Sequence, residues 1–265
     1  MQRRHQKIVE ESPSPIVDAD LRARMEEAAV AAARSCSYTS AGTVEFLVGA
    51  DREFHFLEMN TRIQVEHPIT ELCYGVDLVR EQIRIAEGHP ISFAGVHPPL
   101  RGHAIEARIC AEDADRGFLP STGTLGTVQL PGGPGVRCDG HVYAGQTITL
   151  YYDNLLLKII AHAEDRPAAI LRLKRALYET RLPGLTTNIP FVLRVLDDPR
   201  FLSGDYDTSL AEDLPAAAAD DEDIVPVVAA ALALHRRVPK AVIPAHSPTK
   251  ALSPWVQADR GWMNR

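Results

Sequence analysis

Two strand-like runs joined by a short turn constrain this chain most strongly. The runs cover 43–48 and 53–60, and the four residues between them, Gly49 to Arg52, suit a hairpin turn. Side chains alternate along a strand, so one face is predicted to carry Phe54, Phe56, Glu58 and Asn60 and the other His55, Leu57 and Met59. The hairpin therefore aims Glu58 and Asn60 in the same direction.

Helical and strand-like patterns alternate through the rest of the chain to about residue 214. Helices are predicted from a cap at Asp20 to about residue 35, over 77–87, from a cap at Asp165 to about residue 180, and from near Asn188. Strands are predicted over 103–111 and 155–162, and 122–135 reads as a Gly- and Pro-rich turn region. This pattern indicates a mixed α+β fold.

Composition and charge exclude several functional classes. A chain of 265 residues with 45% hydrophobic and 24% charged residues is expected to form one or two domains. The net charge of -7 argues against nucleic acid as a partner. The sequence has no apolar run of membrane-spanning length, so no membrane association is expected. Four scattered cysteines without a CxxC pair predict a reducing, cytoplasmic setting.

The last 51 residues differ in composition from the rest of the chain. They open on Pro215 and four alanines, pass through an acidic run at 220–223, and carry scattered prolines. We interpret 215–265 as a linker or weakly ordered tail. A short helix over 226–237 is the less favoured alternative.

The densest group of polar residues lies at the end of the second strand, over 58–68. Glu58 and Asn60 offer hard oxygen ligands at strand spacing, and Glu45 can add a third across the hairpin, which suits Mg²⁺ or Mn²⁺. A metal held this way points to a nucleoside triphosphate. If the segment stays extended, Arg62, Gln64 and Glu66 share one side, where they can bind a small planar oxyanion and act as a base. An exposed polar strand edge is the alternative, and six aligned polar groups followed by Pro68 make it less attractive.

This segment, Glu58 to Pro68, resembles the signature of biotin carboxylases, which belong to the ATP-grasp enzymes. The resemblance continues at 2–7, 42–47, 102–109, 111–113, 118–121, 151–153 and 187–188, and covers roughly residues 1–214. It implies the C-terminal part of an ATP-grasp domain over 1–98, then a biotin carboxylase C-terminal domain over 99–214 with a mixed or antiparallel sheet and flanking helices. The tail over 215–265 follows.

The resemblance also implies roles for individual residues. Glu45, Glu58 and Asn60 would hold the divalent metal on the ATP phosphates, with Gln2 and His5 against the nucleotide. Bicarbonate would lie among Lys7, Arg62, Gln64, the backbone of Val65, and Glu66. In that group Glu66 is the expected base and Arg62 the anion clamp, and Arg108 would stabilise negative charge on the biotin ureido oxygen.

The implied enzyme is a ligase that uses ATP and Mg²⁺ or Mn²⁺ to carboxylate biotin through carboxyphosphate. No Met-Lys pair of the biotin-carrying type occurs, so the biotin is expected on a carrier protein or domain. The other expected partners are a carboxyltransferase subunit of an acetyl-CoA or propionyl-CoA carboxylase and a second copy of this chain. The second copy would form a homodimer near Arg137. Because the family's earlier ATP-binding parts do not match any segment here, the isolated chain is expected to bind ATP poorly and to turn over slowly or not at all.

Two other readings stay open on the residues alone. Carbamoyl-phosphate synthases share the Glu-x-Asn-x-Arg pattern and also activate bicarbonate, although the continuation Gln64 to His67 resembles biotin carboxylases. A non-catalytic dimerising or carrier-binding module is the reading from a different functional class.

Overall fold

A four-stranded antiparallel sheet organises the first part of the chain. The computed structural model describes residues 1–3, 6–215, 228 and 230–234. The strands are β1 Gln2–Arg3, β2 Gln6–Lys7, β3 Val9–Ser12, β4 Thr43–Val48, β5 Phe54–Asn60, β6 His103–Cys110, β7 Glu112–Asp113, β8 Leu119–Pro120, β9 Gly123–Thr124, β10 Val136–Gly140, β11 Thr147–Ile148 and β12 Leu155–Ala163. The helices are α1 Ala19–Ser35, α2 His67–Tyr74, α3 Leu78–Ala86, α4 Arg166–Glu179, α5 Ile189–Asp197, α6 Pro199–Ser203 and α7 Leu210–Asp213, with a 3₁₀ turn at Ala114–Arg116. The main sheet has the order β10-β12-β6-β3.

The chain divides into two units, Met1–Ala218 and Ala219–Arg265, and the main sheet lies in the first. In the second unit the structure describes residue 228 and residues 230–234, which are helical and exposed. They fall inside the less favoured helix over 226–237. The remainder of that helix and most of the predicted tail lie outside the described residues.

One face of the main sheet is apolar and carries the hydrophobic core. Ile105, Ala107 and Ile159 point to this face, where α4 and α5 add Leu173 and Val195, and all five are fully buried. Alternation along β6 and β12 supplies one apolar side chain every second residue, which is what a sheet face buried under helices requires. The core therefore holds the strands in a fixed register.

The opposite face of the same sheet carries a row of charged side chains. Glu10 of β3 pairs in register with Glu106 of β6, and Arg108 pairs with Lys158 of β12. Helix α2 covers the apolar end of this face, where Ile69 and Cys73 pack on Ala104 and Ile160. The sheet thus has one face that packs a core and one that presents charge beneath the segment leading into α2.

The predicted α+β fold is confirmed, and most predicted elements are present with shifts of one or two residues at their ends. Asp165 caps α4 as predicted, and its carboxylate accepts from the backbone N–H group of Ala168. Asp77, the first residue of the range predicted over 77–87, caps α3 by accepting from the backbone N–H group of Arg80. The strands predicted over 43–48, 103–111 and 155–162 correspond to β4, β6 and β12. The region predicted as turn over 122–135 also contains the short strand β9.

Two local predictions are wrong. The first helix is capped by Asp18, whose carboxylate accepts from Leu21 N at 2.9 Å, and not by Asp20, which lies in its first turn. The alternation along β5 breaks at Leu57, because a β-bulge pairs Glu45 with Glu58 but the next residue, Phe46, with Phe56. Glu58 and Asn60 therefore face away from Phe54 and Phe56, which pack edge-to-face on Phe46.

Strand β3 connects the early and late parts of the chain. It lies in the segment 1–98 and pairs with β6, which lies in 99–214. The main sheet therefore draws on both segments, and the predicted division at residue 98 stays a prediction.

A buried ionic cluster fixes the edge of this sheet. Glu11 of β3 accepts from His103 at 2.7 Å, from Arg166 at 2.7 and 3.0 Å, and from Tyr206. Burial by itself would raise the pKa of Glu11, but these three donors outweigh it and lower the pKa to about 2. Strand β3, helix α4 and the segment after α6 are tied together by this one carboxylate.

The core predicts a clear contrast between two leucines of α4. Leu173 is fully buried, whereas Leu171 is 69% exposed. We expect Leu173→Ala to lower the free energy of unfolding by about 2–5 kcal/mol because it leaves a cavity in the core. The matched change Leu171→Ala should alter it by less than about 0.5 kcal/mol. Urea denaturation of both variants measures the difference, and equal effects would contradict this core.

The Glu11 cluster predicts a pH dependence of stability. The pKa of Glu11 is lower in the folded chain than in the unfolded chain, so ionised Glu11 stabilises the fold fully above about pH 4.5, and this stabilisation is lost as the pH falls toward about 2. Wild type should exceed Glu11→Gln in stability by about 3 kcal/mol at neutral pH, from 1.36 kcal/mol per unit of pKa shift. The gap should shrink below pH 4.5. Denaturation curves across pH test this, and a pH-independent gap would refute the assignment.

Candidate functional site

The bulged hairpin brings two carboxylates and an amide together. Glu45 of β4 lies directly opposite Glu58 of β5, and Thr43 lies opposite Asn60. The Asn60 side-chain amide donates to Glu58 Oε1 at 2.9 Å and to Glu45 Oε1 at 3.3 Å. The bulge at Leu57 produces this arrangement, because it turns Glu58 onto the same face as Glu45.

These three residues fit a hard divalent cation that substrate oxygens help to coordinate. All three side chains carry oxygen atoms, the ligand type that Mg²⁺ takes. The Asn60 amide nitrogen lies between the two carboxylates and its oxygen accepts from Arg62, so the amide would have to turn over to ligate a metal. Within the described residues no group of three or more His, Cys, Asp or Glu side chains could hold a metal by itself. The chain therefore supplies two carboxylates and one amide, and further ligands must come from elsewhere, as they do where Mg²⁺ binds phosphates.

The segment after β5 turns into a helix instead of staying extended. Glu66 is the N-cap residue of α2, with Pro68 in the first helical turn. The predicted alternation of Arg62, Gln64 and Glu66 is therefore wrong for Glu66, because a helix start redirects its side chain. Backbone N–H groups in the first turn of a helix have no partner within the helix, so a proline there loses no hydrogen bond. Pro68 therefore starts α2 and does not stiffen a strand.

Arg62 and Gln64 remain side by side, next to the hairpin carboxylates. The Arg62 guanidinium donates to Asn60 Oδ1 and to Gln64 Oε1, each at 3.3 Å. Arg62 is exposed, whereas Gln64 is buried and its Nε2 makes no hydrogen bond within the described part of the chain. Since the contact to Arg62 uses Oε1, the amide nitrogen is left as a donor for a bound acceptor.

Glu66 is held between two cations. Its Oε1 accepts from Lys7 Nζ at 2.6 Å and its Oε2 from Arg108 Nη2 at 2.9 Å, and Lys7 also donates to Glu45 at 3.0 Å. Burial opposes charge on Lys7 and on Glu66, but their mutual hydrogen bond and the other opposite charges nearby together outweigh it, which raises the pKa of Lys7 and lowers the pKa of Glu66. Glu66 is therefore a carboxylate at neutral pH, the state a general base must have.

Three buried residues of this site escape prediction from the sequence. Lys158 donates to the Val65 carbonyl at 2.7 Å and lies 3.6 Å from Asp139, so it holds the backbone beside Glu66. Glu10 accepts from Arg108 Nε at 2.6 Å, and Glu106 lies next to it across the sheet. The only sequence signal is a charge inside an otherwise apolar strand, as in the runs HAIEARIC and LLLKIIAHA.

The structure brings most of the sequence-predicted site residues into one connected network. Contacts link Glu58, Asn60, Glu45, Lys7, Glu66 and Arg108, and Arg62 joins through Asn60 and Gln64. Lys158 holds Val65 through a hydrogen bond to its carbonyl oxygen. Gln2 lies in β1 opposite Lys7, and His5 lies outside the described residues. The roles assigned to these residues stay predictions.

Together these groups form the kind of site that handles a small anion beside a divalent metal. The carboxylate pair suits a metal on phosphates, while Arg62, the Gln64 amide and Lys7 supply donors and positive charge around an ionised base. Such an arrangement is typical of enzymes that bind a small oxyanion beside a divalent metal.

Comparison with known proteins identifies the family. The family described as "Carbamoyl-phosphate synthase L chain, ATP binding domain" matches residues 1–93, and the "Biotin carboxylase C-terminal domain" matches residues 106–213. A biotin carboxylase of Nostoc sp. is 51% identical over 214 residues, which cover 81% of this chain and 48% of the relative. Biotin carboxylase 1 of Bacillus subtilis is 46% identical over 213 residues, with 80% and 47% covered. The chain spans about half the length of these relatives.

Solved structures agree with this match. The biotin carboxylase domain dimer of Hydrogenobacter thermophilus 2-oxoglutarate carboxylase, a complex with MgADP, ADP and bicarbonate, aligns with a TM-score of 0.78 at 40% identity. The match covers 80% of this chain and 47% of that one. A biotin carboxylase of Campylobacter jejuni aligns with a TM-score of 0.77 at 41% identity, with 81% and 48% covered. The chain belongs to the biotin carboxylase family.

A search for membrane-spanning helices gives a negative result for the described residues. None of their helices has the length and apolar character needed to cross a bilayer.

The Lys158 contact predicts a local effect on the segment before α2. We expect Lys158→Met, which keeps the side-chain length but leaves the Val65 carbonyl without its donor, to destabilise the chain by about 1–3 kcal/mol. Amide exchange of residues 66–69 should also become faster. Lys174→Met is the matched control, because Lys174 pairs with Asp197 at the surface and should have little effect. Unchanged exchange in Lys158→Met would contradict the proposed support.

Proposed function

We propose that this chain supplies the metal and bicarbonate site of an ATP-dependent biotin carboxylase. The reaction is the carboxylation of biotin on a carrier protein, and its products are used in an acyl-CoA carboxylase. The observation that carries the proposal is the position of Glu66, which is bonded to Lys7 and Arg108 while Lys7 also reaches the hairpin carboxylate Glu45. An anion pocket and a metal site thus share one lysine.

The hairpin is the part that would face ATP. Glu45, Glu58 and Asn60 would hold Mg²⁺, or Mn²⁺ with its similar preference for oxygen, on the triphosphate, with Gln2 and His5 against the nucleotide. The metal would neutralise phosphate charge during transfer. The Hydrogenobacter thermophilus domain, solved with MgADP and bicarbonate, supports this assignment by its similarity to this chain.

The pocket beside the hairpin would hold bicarbonate. Arg62 and the unpaired Nε2 of Gln64 provide donors, Lys7 provides a positive charge, and the backbone of Val65 closes the pocket. Glu66, kept ionised by its cations, would accept the bicarbonate proton and so make its oxygen a better nucleophile. That oxygen attacks the γ-phosphorus, and ADP leaves as carboxyphosphate forms.

The second half of the reaction places the carboxyl group on biotin. Carboxyphosphate would break down to CO₂ and phosphate, the released phosphate would accept the ureido N–H proton of biotin, and the nitrogen would add to the CO₂. Arg108 would stabilise the negative charge that then develops on the ureido oxygen. Arg108 lines a cleft with Lys7, Val65 and Asn154, which gives this ring a place beside Glu66.

The partners follow from the same chemistry. A biotin carboxyl carrier protein or domain would bring the substrate, and a carboxyltransferase would use the product in the cytoplasm. A homodimer near Arg137 is supported by a groove that Arg137 shares with Val79 and Ile83 of α3, both exposed although apolar. The Hydrogenobacter thermophilus relative is itself described as a dimer.

A hybrid enzyme tests the proposal. When this chain replaces the matching segment of the Nostoc biotin carboxylase, we expect ATP hydrolysis that requires bicarbonate and rises with free biotin. In that hybrid Glu66→Gln should lower kcat by about 10²–10⁴-fold because the base is lost, and Glu87→Gln, at the end of α3, should not. Release of phosphate from ATP measures the rates.

The outcomes also separate the competing functions. Bicarbonate-dependent hydrolysis that biotin does not increase would favour a carbamoyl-phosphate synthase activity. A folded, inactive hybrid would favour the non-catalytic module and overturn the proposal.

A further inference from the structure

The side of Arg108 away from Glu66 carries two buried acidic residues that the mechanism above does not use. Glu10 accepts from Arg108 Nε at 2.6 Å and lies 2.5 Å from its Nη2. Glu10 is 8% exposed, and Glu106 beside it is fully buried. A buried carboxylate is costly unless its partners repay the desolvation, so this pair needs an explanation.

The contacts of Glu10 determine how the Arg108 guanidinium is oriented. Glu10 binds Nε and Nη2, and Glu66 binds Nη2 as well. No hydrogen bond within the described residues uses Nη1. Because one oxygen of Glu10 contacts both Nε and Nη2 while Glu66 contacts Nη2, these contacts favour one orientation of the planar guanidinium and so one direction for Nη1.

Glu106 differs from Glu10 in having no cation of its own. Both of its oxygens lack a hydrogen-bond partner in the described part of the chain, and its cross-strand neighbours are Glu10 and Ile160. Burial, followed by repulsion from Glu10, raises the pKa of Glu106 far above its usual range. Burial raises the pKa of Glu10 as well, but the Arg108 guanidinium beside it opposes that rise, whereas Glu106 has no such hydrogen bond within the described residues.

We propose that Glu10 is a positioning residue that aims Arg108 at biotin. This proposal rests on the biotin carboxylase function proposed above. Glu10 does not touch the reacting atoms in this scheme. It fixes the direction of Nη1, so the arginine is already oriented when charge develops on the ureido oxygen.

The chain offers a matched control for Glu10 on the same strand. Glu11 is also buried and also grips an arginine, Arg166, but on the opposite face of the sheet. Glu10→Gln and Glu11→Gln each replace one buried carboxyl group of β3 with an amide. Only the first variant touches Arg108.

The geometry is tested first in the full 265-residue chain. We expect the Arg108 Nε–H resonance, identified by its loss in Arg108→Lys, to be protected from solvent exchange in wild type and Glu11→Gln. In Glu10→Gln this protection should be lost. An Nε–H that stays protected in Glu10→Gln would overturn the proposal.

Kinetics in the Nostoc hybrid test the role in catalysis. Glu10→Gln should lower kcat/KM for free biotin by about tenfold or more, with Glu10→Asp less affected and hydrolysis of ATP without biotin changed less than about twofold. Glu106→Gln, a neutral side chain in place of a neutral acid, should change kcat/KM for biotin by less than about twofold, as should Glu11→Gln. An unchanged biotin dependence in Glu10→Gln, or equal losses in Glu10→Gln and Glu106→Gln, would contradict the inference.

The two proposals fail in different ways. If the wild-type hybrid shows no biotin-stimulated hydrolysis, the proposed function is contradicted, and the inference that depends on it falls too. If the wild-type hybrid responds to biotin and Glu10→Gln responds equally, only the positioning role is contradicted.

Discussion

The carboxylate of Glu66 is the contact on which the site depends, because three distant segments meet at it. Lys7 comes from the N-terminal hairpin, Arg108 from the main sheet, and Glu66 itself from the start of α2. Removal of any one of them would leave a half-buried charge with one partner fewer, which costs more than an exposed ion pair contributes. The same two contacts that hold the three segments together therefore favour the charged form of the candidate base.

The two faces of the main sheet have different roles: one packs the core and the other carries the charged groups. The apolar face, with α4 and α5 packed on it, fixes strand register through contacts that leave little freedom for β6 and β12. Register then places Glu10, Glu106, Arg108 and Lys158 side by side on the other face. The positions of the charged groups are thus a consequence of core packing, although none of them belongs to the core.

The sequence predicts the hairpin, the main strands and most helices because each has a local pattern. It also predicts that Glu45, Glu58 and Asn60 converge, but for an incomplete reason: strict alternation would put Glu58 beside Phe56, and the bulge at Leu57 separates them. A bulge adds one residue without changing composition, so alternation alone cannot locate it. The start of α2 at His67 was missed because the polar segment before it carries no helical periodicity.

Long-range pairing explains the residues that the sequence could not reveal. Glu10 meets Glu106 across nearly a hundred residues, and Lys158 reaches Val65 across a similar separation. Within β6 and β12 these charges alternate with or stand among apolar residues, and in β3 Glu10 is followed by Glu11, but nothing in any of these strands indicates which strand lies alongside. The strand order β12-β6-β3 places these residues next to one another as one polar layer.

Stability alone does not account for that polar layer. Buried ion pairs can often be replaced by apolar side chains of similar volume without loss of stability, and the other face of this sheet shows that the same strands accept such side chains. Glu106 makes the argument stronger, because a buried acid without a hydrogen-bond partner is a net cost to the fold. Such a cost is expected where a site needs oriented charge, and Arg108, gripped by Glu10 on one side and Glu66 on the other, is the group that this layer orients.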